Sequence, residues 1–154
     1  MNLLVVGHGG LHGLGATFFS IGGTFLLGAI LQQAFGTERN TSILITVGTA
    51  ICGGSAIAAA APVLGSKSHE TSVALGIVFM LNACAIFIFP PIGHAFGLSQ
   101  DAFGLWGALA IHDTSSVVCA TMQYGARALE VGTTVKLARA LWIVPVTFGL
   151  GLWI

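Results

Sequence analysis

Charge is almost absent from long stretches of this chain, and that limits its fold more than any other feature. Apolar segments run through 14–35, 42–64, 72–92, 101–124 and 133–154. Each has about the 20 residues that a bilayer-spanning helix needs. Only 6% of residues are Asp, Glu, Lys or Arg, and mean hydropathy is +0.95. Soluble domains carry roughly 25% charged residues, so a soluble form would expose aggregating apolar surface. The expected fold is an all-α integral membrane protein, a single helical domain over 1–154 with about five transmembrane helices.

The connectors "GTERNT" (36–41), "GSKSHE" (65–70), "HAFGLSQD" (94–101) and "GARALEVG" (125–132) are short and hold many of the charges. The Pro90-Pro91 pair is expected to end the third span, because proline cannot continue a helix. Five spans put Lys67 and Arg127 on one side, with Lys136 and Arg139 just beyond it and Arg39 opposite. That asymmetry predicts a cytoplasmic N-terminus and an external C-terminus. The N-terminus lacks a basic n-region, so no cleavable signal peptide is expected and the helices direct insertion. Net charge is zero, which gives no basic surface for nucleic acid. Cys52, Cys84 and Cys119 lie in apolar runs without a CxxC pair and read as packing residues or free thiols. His8 and His12 are four apart but lack a third ligand, so no metal or other cofactor is expected. His69 and His94 fall in connectors and read as solvated.

The chain also echoes itself. "AFGTERNTSILITVGTAICGGSAIAAA" from Ala34 aligns, with one gap, to "AFGLSQDAFGLWGALAIHDTSSVVCA" from Ala95. Ala50-Ile51 then matches Ala110-Ile111, Ser55 matches Ser115, and Ala60 matches Ala120. A duplication would make the first four segments tandem copies of one helix pair running in the same direction. Internal repeats recur in transporter folds.

The two aligned segments, 42–64 and 101–124, are both expected to be interrupted. The first holds Gly53, Gly54 and Ser55, where glycine weakens the helix and serine can bond the backbone. The second holds His112, Asp113, Thr114, Ser115 and Ser116. A broken helix offers a half-helix N-terminus with free amides and partial positive charge, which suits an anion. Close packing through Ala56 and Ala60 is the alternative for the first. An ionisable group at bilayer depth is a functional candidate, although Asp113 could also serve to lock helices together. His112 shares a helical face with Ser115 and Ser116, so Asp113 needs a partner from another helix. Arg139 is the expected partner, either of Asp113 or of a bound oxyanion. Lys136 lies on the same face and could instead snorkel to the interface. Asn82, at mid-span, reads as an interhelix hydrogen bond.

"GTAICGGSAIAAAAPV" (48–63), "AFGLWGALAIHDTSSVV" (102–118) and "TTVKLARALWIVP" (133–145) resemble, in order and spacing, the YeiH-type sulfate exporter family of bacterial inner-membrane proteins. The match runs from about Leu26 to the C-terminus. It implies a multi-pass helical transporter of the cytoplasmic membrane, with Gly53, Ser55, Pro62, His112, Asp113, Lys136 and Arg139 as family residues. Family members are roughly twice this length, so the chain reads as a fragment or half-length form.

The resulting expectation is a non-enzymatic transporter of a small oxyanion such as sulfate, with His112 or Asp113 exchanging coupling protons. Its expected partners are the bilayer, the anion, and either further copies or the missing spans. The alternatives are a non-transporting membrane subunit and, remotely, an intramembrane hydrolase with Ser55 as nucleophile and His112 as base.

Overall fold

The structure, a computed structural model, describes residues 3–153, with side chains from Thr17 to Leu152; the side chains of His8 and His12 lie outside the described residues. Eight helices follow in order: α1 (Leu3–Phe35), α2 (Arg39–Ala50), α3 (Gly54–Val63), α4 (Ser68–Ala95), α5 (Gln100–Ala110), α6 (Thr114–Tyr124), α7 (Ala126–Ala140) and α8 (Ile143–Trp153). The all-helical expectation holds. Polarity is inverted relative to a soluble protein: Phe19 is 80% and Phe87 76% exposed, whereas Lys136 and Arg139 are 0% and 1% exposed.

Both expected interruptions are present, at 51–53 and 111–113. Gly53 has φ +70° and ψ −126°, a conformation open to glycine and strained for other residues. In the second break, Ile111 and Asp113 are both extended.

The span count is corrected, because neither broken segment crosses. Arg127, just after α6, holds Asp101 at the start of α5 at 2.8 Å. The Tyr124 hydroxyl donates to the Leu98 carbonyl, and Gln100 Oε1 accepts from the Arg127 amide at 2.9 Å. Between these feet the arms run antiparallel, with Phe103 stacked on Tyr124 at 3.8 Å. The first pair behaves alike. Asn40, at the start of α2, donates to Glu70 at the start of α4, and His69 lies 3.6 Å from Glu38. Each arm has 10 to 12 residues, about 15–18 Å, or half of a ~30 Å hydrocarbon core. Both segments are therefore re-entrant hairpins. Three helical stretches remain that are long and apolar enough to cross: Thr17–Phe35, Ser68–Ala95 and Ala126–Leu152.

The 28-residue α4 starts at the foot of the first hairpin and ends at the foot of the second. The hairpins therefore enter from opposite ends and meet at their tips. The internal echo is real in register. Ala34-Phe35-Gly36 and Ala95-Phe96-Gly97 end α1 and α4, with their glycines at φ +61° and +62°, and the breaks sit 60 positions apart. Its direction is the reverse of that expected. The unit α1 with α2–α3 and the unit α4 with α5–α6 form an inverted repeat, the arrangement found in many transporters.

Three boundaries also differ from expectation. The α4 helix runs through Pro90 and Pro91 to Ala95, because proline's fixed φ suits a helix and each ring costs only one backbone bond. The connector 125–132 is mostly helix α7, and only Gly125 is extended, with φ 156° and ψ 164°. The last segment breaks at 141–142, where Pro145 can donate nothing to the Leu141 carbonyl and its ring crowds that group. Lys136 and Arg139 thus sit three turns inside α7, and the charge count behind the expected orientation lapses. What remains is Arg39 and Lys67 at one end against Arg127 at the other.

Cysteine labelling tests the hairpins. Arg39→Cys and Lys67→Cys should react with an impermeant maleimide from one side of the membrane, and Asp101→Cys and Arg127→Cys from the other. Labelling of positions 101 and 127 from opposite sides would show that this segment crosses.

Candidate functional site at the hairpin tips

The two breaks touch. A β-carbon on Gly53 would lie 3.4 Å from the Asp113 amide nitrogen and from the His112 carbonyl carbon. Each tip brings together the carbonyl end of one arm and the amide end of the next. The site must therefore satisfy two negative and two positive half-helix ends at mid-depth, away from water.

The carbonyl ends are held by α7. Arg139 Nε donates to Ala50 O at 2.6 Å and Nη2 to Thr49 O at 3.3 Å; Nη1 donates to Leu109 O at 2.7 Å and Ala108 O at 3.4 Å. Lys136 Nζ donates to Ile111 O at 2.7 Å and Ala108 O at 3.4 Å. Thr49 and Leu109 are repeat equivalents, so one guanidinium ties the same position of both copies. This placement depends on close approach of α5 to α7: a β-carbon on Gly104 would sit 2.7 Å from Ala128 O. Neither side chain reaches the interface, which settles Lys136 as buried rather than snorkelling.

The expected pairing of Arg139 with Asp113 is overturned. Asp113 is the N-cap of its own helix: its Oδ2 accepts from the Ser115 amide at 3.1 Å, the Ser116 amide at 3.4 Å and the Ser115 hydroxyl. A capping carboxylate favours the positive end of a helix. The shared face of His112 with Ser115 and Ser116 is also corrected, because His112 lies in the break, outside α6.

Asn82, at the midpoint of α4 and 3% exposed, ties α4 to the second break, as the expected interhelix bond. Its Oδ1 accepts from the His112 amide at 3.0 Å and the Asp113 amide at 3.3 Å. Its Nδ2 and the His112 Nδ1 are buried without a hydrogen-bond partner. The α3 end is open: Gly53 supplies no cap. Gly54 packs against Phe79 and Leu75, with its β-position 2.9 Å from the Phe79 ring. Asn82 is one turn further along that face of α4. The break at 51–53 and close packing occur together in this segment, since Ala56 and Ala60 are fully buried packing residues.

Ser55 and Ser115 are exposed, whereas Ser116 is 8% exposed. Cys52, Cys84 and Cys119 are free, and the described residues hold no group of three or more metal-ligating side chains. His69 is exposed, and His94, also exposed, stacks on Tyr124 at 4.2 Å. The sequence reading missed the carbonyls of Thr49, Ala50, Ala108, Leu109 and Ile111, because main-chain acceptors carry no residue-type signal. Two cations placed three apart inside an apolar helix were the available clue.

Over residues 1–154 the chain matches the model of a family described as conserved hypothetical protein 698. It is 67% identical over 153 residues to a UPF0324 membrane protein of Bdellovibrio bacteriovorus, covering 99% of this chain and 47% of that protein. It is 56% identical over 149 residues to a UPF0324 membrane protein of Bacteroides thetaiotaomicron, covering 96% and 45%. A Vibrio vulnificus UPF0324 membrane protein is 55% identical over 134 residues, covering 87% and 43%. The chain thus spans about half the length of the curated relatives it matches. No solved structure matches it.

Proposed function

Since the chain belongs to the conserved hypothetical protein 698 family, whose matched relatives are membrane proteins, we propose that it forms the binding core of a secondary transporter for a small oxyanion in the bacterial cytoplasmic membrane. One observation carries this reading: two inverted re-entrant hairpins meet at mid-depth around Asn82, His112 and the open amide end of α3. Irregular backbone at that depth is stable only where it is buried in protein or lines a cavity, and such tips are where transporters bind substrate. Half-helix amide ends favour negative charge.

Roles follow from position. Lys136 and Arg139 brace the hairpin tips rather than facing the anion. Asp113 fixes the α6 end. Asn82 Nδ2 and the α3 amides face the substrate, and His112, with an unbonded Nδ1, is the candidate for proton coupling. Sulfate is the substrate that the YeiH-type resemblance names.

The test is flux. The Bdellovibrio relative and this chain are reconstituted separately in proteoliposomes, and uptake and efflux of labelled sulfate, sulfite, taurine, acetate and chloride are measured. Saturable flux of at least one oxyanion through the relative is expected, and it should be lost in the variant equivalent to Asn82→Asp. If no anion moves through the relative in either direction, the transporter reading falls.

A further inference from the structure

The two repeats differ in one decisive way. At α6 the carboxylate of Asp113 accepts from the Ser115 and Ser116 amides and from the Ser115 hydroxyl. Sixty positions earlier, Gly53 stands in the place of Asp113, Ser55 in that of Ser115 and Ala56 in that of Ser116. Among the described residues nothing bonds the Ser55 amide, the Ala56 amide or the Ser55 hydroxyl, and α3 has no side-chain cap. The second repeat is therefore a template for what the first one lacks. A second observation is independent of the helix end: Asn82, buried at the same junction, has an unpartnered Nδ2 donor.

We propose that the α3 amide end binds a small monovalent carboxylate, seated against Ser55 and Ala56 as the Asp113 carboxylate is seated against Ser115 and Ser116, with Asn82 Nδ2 as a further donor. This rests on the anion-site reading above and narrows its substrate class. Charge selects the valence. In formal charge the tips hold two cations, Lys136 and Arg139, and one anion, Asp113, an excess of one positive charge. A monoanion neutralises the buried centre, whereas a dianion such as sulfate leaves an uncompensated negative charge beside Asp113, which is costly at low dielectric. Shape agrees: the template places one oxygen on two successive amides and a hydroxyl, as a carboxylate oxygen does at an N-cap.

The test uses the full 154-residue chain in detergent. Melting temperature is followed against sodium formate, sodium acetate and sodium sulfate at matched ionic strength, with sodium chloride as reference. Formate and acetate should raise it saturably, and sulfate should match chloride. Ser55→Ala should weaken the apparent acetate affinity about tenfold, the worth of one charge-assisted hydrogen bond. Asn82→Asp keeps the single oxygen that accepts from the His112 and Asp113 amides but replaces Nδ2 with an oxygen. It should retain the ligand-free melting temperature and lose the acetate response. The proposal is overturned if sulfate stabilises as strongly as acetate, if no anion acts beyond chloride, or if acetate affinity survives Ser55→Ala unchanged. Flux separates the two readings: sulfate carried in preference to acetate overturns the carboxylate assignment and leaves the transporter standing, whereas no flux of any anion removes the transporter.

Discussion

Arg139→Leu should remove about 4 kcal/mol or more of stability, enough to leave little folded protein at growth temperature. Arg139 donates to four carbonyls, Thr49, Ala50, Ala108 and Leu109, drawn from both hairpins. A buried acceptor left unpaired costs about 1–3 kcal/mol. Relief from burying the guanidinium offsets part of that sum, which is why the net figure is lower than four full penalties. Arg139→Lys should recover less than half of the loss, because a single ammonium cannot span both hairpin tips as a planar fork does. Unfolding of detergent-solubilised protein by increasing SDS gives the measurement. A leucine variant within ~1 kcal/mol of the parent would mean that the tips do not depend on Arg139.

The second large effect is expected at Asn82. Asn82→Leu leaves the His112 and Asp113 amides without an acceptor in a buried break, at a cost of about 2–5 kcal/mol. It should also loosen the contact of Gly53 with the second tip. Hydrogen exchange at residues 111–114 would then rise while the α1 amides stay protected. Asn82→Asp, which keeps the acceptor, should not show this loss. Equal destabilisation by Leu and Asp would mean that side-chain volume, not the acceptor, is what α4 supplies there.

How far residue type reaches is clear from these two positions. The reading placed Asn82 in an interhelix hydrogen bond because an amide at mid-span has few other uses in lipid, and it does make one. It gave Arg139 the wrong partner. It sought the only intramembrane carboxylate for the deepest cation, but Asp113 is spent on the amides of Ser115 and Ser116. Local capping within two or three residues closes before any long-range pairing has to be formed. The true partners of Arg139 are carbonyls, which every residue has.

What the order of residues determined by itself is local. The apolar segments, the breaks at Gly53 and at His112-Asp113, and the equivalence of Ser55 with Ser115 follow from hydropathy, backbone preference and self-similarity, each set by near neighbours in the chain. What only the tertiary structure decided is where the chain goes after each break. An apolar stretch of 23 or 24 residues interrupted at its middle can cross the bilayer or return, and hydropathy alone does not separate the two outcomes. The return is fixed by contacts between distant residues, Asp101 with Arg127 and Asn40 with Glu70. Those contacts turn two apparent spans into opposed hairpins and a tandem repeat into an inverted one. The cause is physical: a broken helix exposes main-chain groups that must be satisfied in lipid, and here the donors and acceptors that satisfy them come from α4 and α7.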